Sequence, residues 1–579
     1  MRVRIVGFAL LVVFLAVAPV VVAQDIREVP REATVIIENE FGRVAVPDNM
    51  NPYIAGQYLD WGMWQATQEA LFYLNYETGA VIPWQATGYS FNDDKTEVTI
   101  HIRDGVKWSD GTPFTAHDVV FTINMLKANE ELQYSFDMQQ WVADISAPDD
   151  HTVVMTLTRP NPRFVINYFS VRIWDTILIA PQHIWGDVDP TTFTNYDLEA
   201  GLPMGTGAYR LIRSTETEQV YDRRDDWWGA ETGFQPLPAP ERAIWLGAPS
   251  EDLRAALMSN NELDAGWLFS RSTFEVAQSR NPNIVGWTAD LPYAYLDPCP
   301  RYLGLNNRAA PFDDREVRWA LNAAIDRDVL VAIAYEGMTN PAATLYPTYA
   351  PLQAFLDRNA ALFEQYDVLG SDEMLIDSVM EGKGYTRDSE GLWVDGDGER
   401  ISFILIARSS QTDKVRMGNI LAEQMRAAGF DATFQPLEDG IFYADVSNGA
   451  SQAWVTDLCG SVSDPYETFS RFHSRFSGPI GESVPGVNAS RFENAEYDEI
   501  VDAMAVLAAD DEGFNELADQ ALAIWLHELP GIPLVQARLL TPFNNSYWTN
   551  WPTSDNNYIQ PGHWWVTGAL MLHNIQPSQ

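Results

Sequence analysis

Positive charge is scarce in this sequence of 579 residues. Lys and Arg together number 37 against 80 Asp and Glu, which leaves a formal net charge of −43 and a pI of about 4.3. Lysine occurs only at Lys95, Lys107, Lys127, Lys383 and Lys414. Nucleic acids and anionic lipid surfaces repel so acidic a chain, which argues against both as partners, and we expect no nucleic-acid binding.

Cysteine is almost absent as well. With only Cys299 and Cys459, a chain of this size cannot be a disulfide scaffold and must depend on hydrophobic cores. One stabilising disulfide and two buried thiols are both compatible with the residues alone. No cysteine stands directly after the apolar amino-terminal segment, so we expect no attachment of the lipid that anchors bacterial lipoproteins.

Signatures of catalysis and of metal binding are missing too. The sequence contains no Gly-x-Ser-x-Gly and no His-Glu-x-x-His, and its eight histidines are scattered. Acidic residues alternate with glycine at 395–399, but this run lacks the spacing of an EF-hand and predicts a β-hairpin turn. We therefore expect no enzyme and no cofactor. A secreted carbohydrate-active hydrolase is the alternative, because so acidic a chain easily supplies paired carboxylates.

Long apolar runs are confined to the amino terminus. Arg2 and Arg4 precede a nearly continuous apolar stretch at 5–22, which ends in small residues at Ala23. This pattern predicts a cleaved signal peptide at 1–23 and a periplasmic or extracellular protein. An uncleaved membrane anchor is the competing interpretation, because the apolar stretch is almost long enough to span a bilayer.

What the sequence does contain is a repeated alternation of short strands and capped helices, which is typical of an α/β fold. Residues 97–103 alternate apolar and polar side chains and predict a half-buried strand. Thr115 and Asp118 have the spacing of a capping box at a helix start. Residues 412–428 predict an amphipathic helix, and 430–434 a strand directly after it. A chain this long is expected to form two or three lobes.

Several segments resemble, in the same order along the chain, one known family. The most specific is the run from Asp104 to Phe121, Asp-Gly-Val-Lys-Trp-Ser-Asp-Gly-Thr-Pro-Phe-Thr-Ala-His-Asp-Val-Val-Phe. Further matching segments lie at 145–157, 205–211, 306–327, 488–492 and 529–534. On these segments the chain resembles the extracytoplasmic solute-binding proteins of ABC importers, family 5, whose members bind dipeptides, oligopeptides, nickel or oligosaccharides.

The resemblance implies a class II-like periplasmic-binding-protein fold of the cluster C type, in which two α/β lobes are joined by a hinge and one lobe carries an extra domain. Carried onto this sequence, it places lobe I at 24–56, 205–300 and 533–579, the extra domain at 57–204 and lobe II at 301–532. The chain then crosses between the lobes near 302–305 and near 532–534, and these are the expected hinge segments.

A function follows from the same resemblance. A small-molecule ligand, either an oligopeptide or an oligosaccharide, is expected to bind in the cleft between the lobes. Hinge closure would enclose it, and a monomeric protein would deliver it to the permease subunits of an ABC transporter. Nickel or haem, which some members of the family carry, is disfavoured because no histidine cluster is present.

The resemblance also indicates particular residues. In peptide-binding members, a Trp three residues before an Asp occurs where Trp454 and Asp457 stand here, and that Asp pairs with the α-ammonium group of the peptide. The present sequence departs from this pattern because the gap before Asp464 is longer. A strand-end aspartate that bonds local amides is the alternative for Asp457. A resembling oligopeptide binder pairs cysteines at the places of Cys299 and Cys459, which implies a disulfide between them.

Tryptophan is abundant, with 20 in the chain, and flat aromatic faces suit sugar rings. The run 547–558 resembles the ending of oligosaccharide-binding members. Trp267, Trp64 and Tyr58 are therefore predicted to line the cleft beside Trp454. The ligand stays an open choice between oligopeptide and oligosaccharide.

Overall fold

The computed structural model describes residues 26–39, 42–54, 63–171, 173, 176–248, 250–484, 486–562 and 567–579. The predicted signal peptide at 1–23 and the predicted ligand residue Tyr58 lie outside these ranges. Within them, no helix is long and apolar enough to cross a membrane.

Strands and helices alternate along most of the chain. The strands are β1 Thr34–Asn39, β2 Phe72–Leu74, β3 Val81–Pro83, β4 Ala86–Phe91, β5 Glu97–Ile102, β6 Val142–Asp149, β7 Thr152–Leu157, β8 Ser170–Val171, β9 Tyr209–Ser214, β10 Glu218–Arg223, β11 Arg242–Gly247, β12 Ile284–Val285, β13 Tyr295–Leu296, β14 Arg301–Leu305, β15 Thr386–Arg387, β16 Trp393–Val394, β17 Ser402–Arg408, β18 Asp431–Leu437, β19 Ala453–Asp457, β20 Gly531–Val535, β21 Arg538–Leu539, β22 Phe543–Asn544, β23 Trp548–Thr549 and β24 Gln576–Pro577.

The helices are α1 Ala116–Ala128, α2 Ser135–Trp141, α3 Phe164–Phe169, α4 Gln182–Trp185, α5 Trp228–Glu231, α6 Glu251–Ser259, α7 Arg271–Arg280, α8 Arg315–Ala323, α9 Arg327–Val329, α10 Ala350–Arg358, α11 Ala360–Tyr366, α12 Glu373–Gly382, α13 Thr412–Ala427, α14 Asp439–Asn448, α15 Tyr466–Ser470, α16 Ala495–Ala505, α17 Phe514–Glu528 and α18 Gly568–Asn574.

Local sequence patterns produce the elements that they predict. The alternating segment forms β5, and α1 begins directly after Thr115, whose backbone N–H donates to Asp118 Oδ2 at 2.9 Å, as a capping box requires. The predicted helix and strand pair is confirmed as α13 and β18. The acidic run turns a hairpin, in which the Asp395 N–H donates to the Glu399 carbonyl at 2.9 Å. Among the described residues, no group of His, Cys, Asp and Glu is placed to hold a metal ion.

The two ends of the chain share one hydrophobic core, which we call the first core. It contains a sheet of order β1-β11-β10-β9, in which β1 and β11 are parallel, and an antiparallel sheet of order β4-β5-β7-β6. Its buried side chains run from Val35 to Ile575 and come from the segments predicted as lobe I and from those predicted as the extra domain. The segments predicted as lobe I and as the extra domain therefore share one continuous apolar core.

The second core is built from the middle and later parts of the chain. Its sheet has the order β18-β17-β19-β14-β20, and its buried side chains run from Tyr302 to Val535. The expected hinge segments 302–305 and 532–534 are strands β14 and β20 themselves, paired antiparallel and fully buried. Strand β14 pairs with β19 on one side and with β20 on the other, which restricts its bending, so the connections to the first core lie just outside β14 and β20. These connections run side by side, since β13 pairs with β21.

A smaller apolar cluster lies where the two cores meet, and we call it the junction. It includes Leu74 from β2, Leu296 from β13, Leu539 from β21, Tyr349 and Val462. The junction draws on segments that neighbour both cores, so it is a place where the two halves of the fold contact each other.

Candidate ligand-binding site

Strands β14 and β19 position the candidate site at the edge of the junction. They are antiparallel neighbours, so Arg301 at the start of β14 lies opposite Asp457 at the end of β19. Just beyond these residues, Cys299 and Cys459 are joined by a disulfide with an S–S distance of 2.10 Å. The bridge ties the two strand ends together and lies among the junction residues.

Asp457 belongs to a network of buried charges. Lys414 Nζ lies 2.5 Å from Asp457 Oδ2, and Arg301 Nη1 lies 3.5 Å from the same oxygen. Arg301 Nε also donates to Asp413 Oδ2 at 2.9 Å, and the Tyr335 hydroxyl donates to that oxygen at 2.9 Å. Adjacent residues of α13, Asp413 and Lys414, are thus tied to the strand residues Arg301 and Asp457.

Mutual attraction keeps the network ionised although it is buried. Burial acts to raise the pKa of Asp457, but the positive charges of Lys414 and Arg301 outweigh it and hold that pKa far below its usual value. Burial lowers the pKa of Lys414 to about 8, against the opposing attraction of Asp457. For Asp413, the attraction of Arg301 and Lys414 outweighs burial and gives a pKa of about 2. At neutral pH, Lys414 and Asp457 therefore form an ion pair.

The two members of this pair differ in their access to solvent. The Lys414 side chain is 1% exposed, whereas the Asp457 side chain is 22% exposed. A carboxylate has room for several hydrogen bonds on its two oxygens. Asp457 therefore can still accept a hydrogen bond from a ligand, although its negative charge already has internal cationic partners.

Of the aromatic residues predicted for the cleft, Trp267 packs against the junction. It is partly buried there, and its backbone N–H donates to Glu38 Oε2 at 2.5 Å. Trp454 is buried in a separate apolar cluster with Phe442, and its indole lies so close to Gly304 that a side chain there would collide with it.

Trp64 lies in the first core and is 5% exposed. Its Nε1 is buried and has no hydrogen-bond partner among the described residues. The structure thus brings Asp457 and Trp267 to the junction, and it buries Trp64 in the first core and Trp454 in the separate cluster with Phe442.

Sequence reasoning missed the cations around Asp457. Lys414 stands on the same face of α13 as Met417, Leu421 and Met425, which are buried. This helical spacing was visible in the sequence, and a lysine in an apolar stripe of a lysine-poor chain predicts a buried charge that needs a partner. The identity of that partner was not visible, because Lys414 and Asp457 are brought together only by the packing of α13 on β19.

Comparisons with known proteins agree with this architecture. The sequence profile of the bacterial extracellular solute-binding proteins, family 5 Middle, matches residues 80–478. The glutathione-binding protein GsiB of Shigella flexneri is 25% identical over 531 residues, which span 89% of this chain and 92% of that protein.

Solved structures show the same fold. The periplasmic oligopeptide-binding protein of an oligopeptide ABC transporter from Thermotoga maritima superposes with a TM-score of 0.82 at 22% identity, covering 94% of this chain and 99% of that one. The mannohexaose-bound form of that protein gives a TM-score of 0.77 and covers 95% and 100% of the two chains. The fold is therefore that of the two-lobed, class II-like periplasmic binding proteins. Since the family profile covers more than half of the sequence, this chain belongs to the bacterial extracellular solute-binding proteins of family 5.

Proposed function

We propose that this protein is the substrate-binding component of an ABC import system, which captures its ligand between the two lobes and delivers it to a membrane permease. Family membership and the two-lobed fold support this role. The proposal includes export with cleavage after residue 23, and binding without any bond-making chemistry. The hydrolase alternative gains no support, because the relatives described above are binding proteins.

The ligand class that the geometry supports best is an uncharged oligosaccharide. The observation that carries this choice is the ion pair between Lys414 and Asp457, at 2.5 Å. In peptide-binding members of the family, the corresponding aspartate meets the ammonium group of the peptide. In this protein Asp457 is already paired with the ammonium group of Lys414, so a second ammonium group would be repelled by Lys414 and Arg301. Sugar hydroxyls carry no charge and can bond to the exposed part of Asp457 without displacing Lys414.

Oligopeptides are the second candidate. The network around Asp457 also contains Asp413 and Asp297, so three carboxylates lie near the cations Arg301 and Lys414, and Arg408 adds a third positive charge. These carboxylates are the groups that would receive a cationic ligand group. Relatives with glutathione or oligopeptide in their names support the same candidate.

Titration calorimetry separates the two candidates. The probes are mannohexaose, cellohexaose and xylohexaose on one side, and tetra-alanine with a free or an N-acetylated amino terminus on the other. We expect a hexasaccharide to bind and the two tetra-alanine forms to bind equally weakly. Tenfold tighter binding of the free amino form would show that Asp457 receives a peptide ammonium group, and would replace the oligosaccharide by a peptide. Binding of none of these probes would count against the proposed ligand class as a whole.

A further inference from the structure

The edge of the second sheet that carries Asp457 is also the edge from which the chain leaves toward the first core. Strand β14 begins there at Arg301, after the chain arrives from β13, and β20 ends there at Val535, before β21. Strands β17 and β19 are parallel, so β17 also ends at this edge, at Arg408. Ligands of open α/β sheets bind beyond the carboxyl ends of the strands. This edge therefore faces the proposed cleft, with β17 farther from the connections than β19.

Side chains from β17, from the loop after it and from α14 surround the ring of Tyr443. The guanidinium carbon of Arg408 lies 5.3 Å from the centroid of that ring. Arg408 Nη1 lies 3.8 Å from Asp439 Oδ2, and the Ser410 hydroxyl donates to Asp439 Oδ1 at 2.7 Å. Arg408 is also one of the positive charges that act on Asp457. Arg408 thus connects the ring of Tyr443 with the surroundings of Asp457.

The ring of Tyr443 is both held in place and accessible. Tyr443 is 54% exposed, and the Asp439 side chain is 38% exposed. The buried ring of Phe442 lies edge-on to it, with the two centroids 5.6 Å apart, and Arg408 contacts it as well. These contacts restrict the orientation of the ring, while more than half of the residue can be reached by a molecule that enters the cleft.

The chemistry around the ring favours an uncharged ligand group with hydroxyls. The faces of sugar rings carry C–H groups, which pack on flat aromatic rings. An anionic group would be repelled by Asp439 and a cationic group by Arg408. Sugar hydroxyls can donate to the exposed part of Asp439 and to the hydroxyl oxygen of Ser410.

We propose that Tyr443 is a stacking platform for one sugar unit of an uncharged oligosaccharide, on the side of Asp457 that lies away from the connections between the cores. Arg408 and Asp439 are positioning residues for the ring, and Asp439 also accepts hydrogen bonds from the sugar. The inference rests on the proposed function. It extends the binding site from the end of β19 to the end of β17 and the first turns of α14.

Calorimetry with mannohexaose, cellohexaose and xylohexaose tests the platform in Y443A and Y443F, with I441A as the matched control. Ile441 lies on the same helix and is 53% exposed, but it carries no flat ring. We expect Y443A to weaken binding of the best hexasaccharide about three- to tenfold, the range for the loss of an aromatic packing contact. Y443F keeps the ring, so Y443F and I441A should both bind within about twofold of the wild type.

Hydroxyl-radical labelling read by mass spectrometry adds a measurement that needs no variant. A saturating hexasaccharide should lower the oxidation of Tyr443, because the sugar ring covers it. Phe136 is exposed on α2, in the segment predicted as the extra domain, and its oxidation corrects for radicals that the sugar consumes.

The outcomes distinguish the platform from the function on which it rests. Equal hexasaccharide binding in the wild type and Y443A, or unchanged oxidation of Tyr443 in the saturated protein, would overturn the platform and leave the oligosaccharide function standing. Equal weakening in Y443A and I441A would also overturn it, because the effect would then belong to α14 as a whole. Equal weakening in Y443A and Y443F would do the same, because it would assign the effect to the hydroxyl group. Failure of the wild type to bind any of the three hexasaccharides would overturn the oligosaccharide function and the platform with it.

Discussion

Lys414 extends from the buried face of α13 to Asp457, although an isolated ammonium group is among the costliest groups to bury. The contact with Asp457 at 2.5 Å offsets that cost, and burial still lowers the pKa of Lys414 to about 8. Such a pair contributes little net stability relative to apolar residues of the same volume, but breaking it by removing one partner is strongly destabilising.

Replacing Lys414 with methionine should therefore lower the free energy of unfolding by about 3–5 kcal/mol, because Asp457 is left with a more distant cation. K383M is the matched control, since Lys383 forms ion pairs with Asp314 and Glu316 that are much more exposed. K383M should lose less than about 1 kcal/mol of unfolding free energy. Urea unfolding monitored by tryptophan fluorescence measures both, and equal losses in the two variants would contradict the buried ion pair.

Glu38 supplies a second prediction at the scale of a single residue. Burial raises its pKa from 4.5 to about 8, although Arg254 and the backbone N–H of Trp267 act in the opposite direction. Between these two pH values the folded protein holds a proton that the unfolded chain has lost. Stability from this group is thus fully present below about pH 4.5 and is lost as the pH rises toward 8, by up to about 1.4 kcal/mol per pH unit.

The variant E38Q keeps the shape of the side chain but cannot lose this proton. Between pH 5 and pH 8, the unfolding free energy of the wild type should therefore fall steadily relative to that of E38Q. Urea unfolding at several pH values measures this difference, in which the other titrating groups cancel. A difference that is constant with pH would show that Glu38 is ionised throughout that range.

At the scale of elements, the antiparallel pairing of β14 with β19 builds the site. It places Arg301 opposite Asp457, and the same pairing brings Cys299 and Cys459 to a Cα distance of 4.2 Å. The charge network and the disulfide are thus two results of one strand register. A shift of one residue would move Asp457 to the other face of the sheet.

The disulfide links residues that are 160 positions apart in the sequence, so it restricts the unfolded chain strongly. The double variant C299S/C459S should lose about 2–5 kcal/mol of unfolding free energy. Urea unfolding with and without a reducing agent tests this, because reduction should destabilise the wild type and leave the double variant unaffected. Identical curves for oxidised and reduced wild type would mean that the bridge contributes nothing to stability.

At the scale of the whole molecule, the first and second cores meet in the junction and in the contacts between α3 and the loop before α15. The ion pair of Arg163 with Asp464 and the hydrogen bond of Asn167 with Glu467 both join the two cores. These polar contacts lie beside the apolar junction, which is much smaller than either core, and two bodies joined in this way can move against each other.

Small-angle X-ray scattering should therefore show a smaller radius of gyration when a binding hexasaccharide saturates the protein, because the ligand adds contacts that exist only when the cores approach. Glucose at the same concentration by mass is the control for solvent contrast. A scattering profile that is unchanged by a ligand known to bind from calorimetry would argue against closure.

The local sequence was sufficient to predict several helices and strands and to recognise the family. The alternation at 97–103, the Thr115 and Asp118 spacing and the amphipathic stretch of α13 each depend on neighbours within a few residues, and each forms the predicted element. The ordered segments from Asp104 onward were likewise enough to recognise the family, which the profile match at 80–478 shows.

Tertiary structure alone decided how the site is charged and where the connections between the cores run. Lys414 and Asp457 are 43 positions apart, and Arg163 and Asp464 are 301 positions apart. No periodic pattern links residues at such distances, because their contact depends on how helices pack on strands of another segment. For the same reason, the segments 302–305 and 532–534 resembled connections in the sequence. They are paired strands in the fold, since each is held by hydrogen bonds to a partner more than 200 residues away.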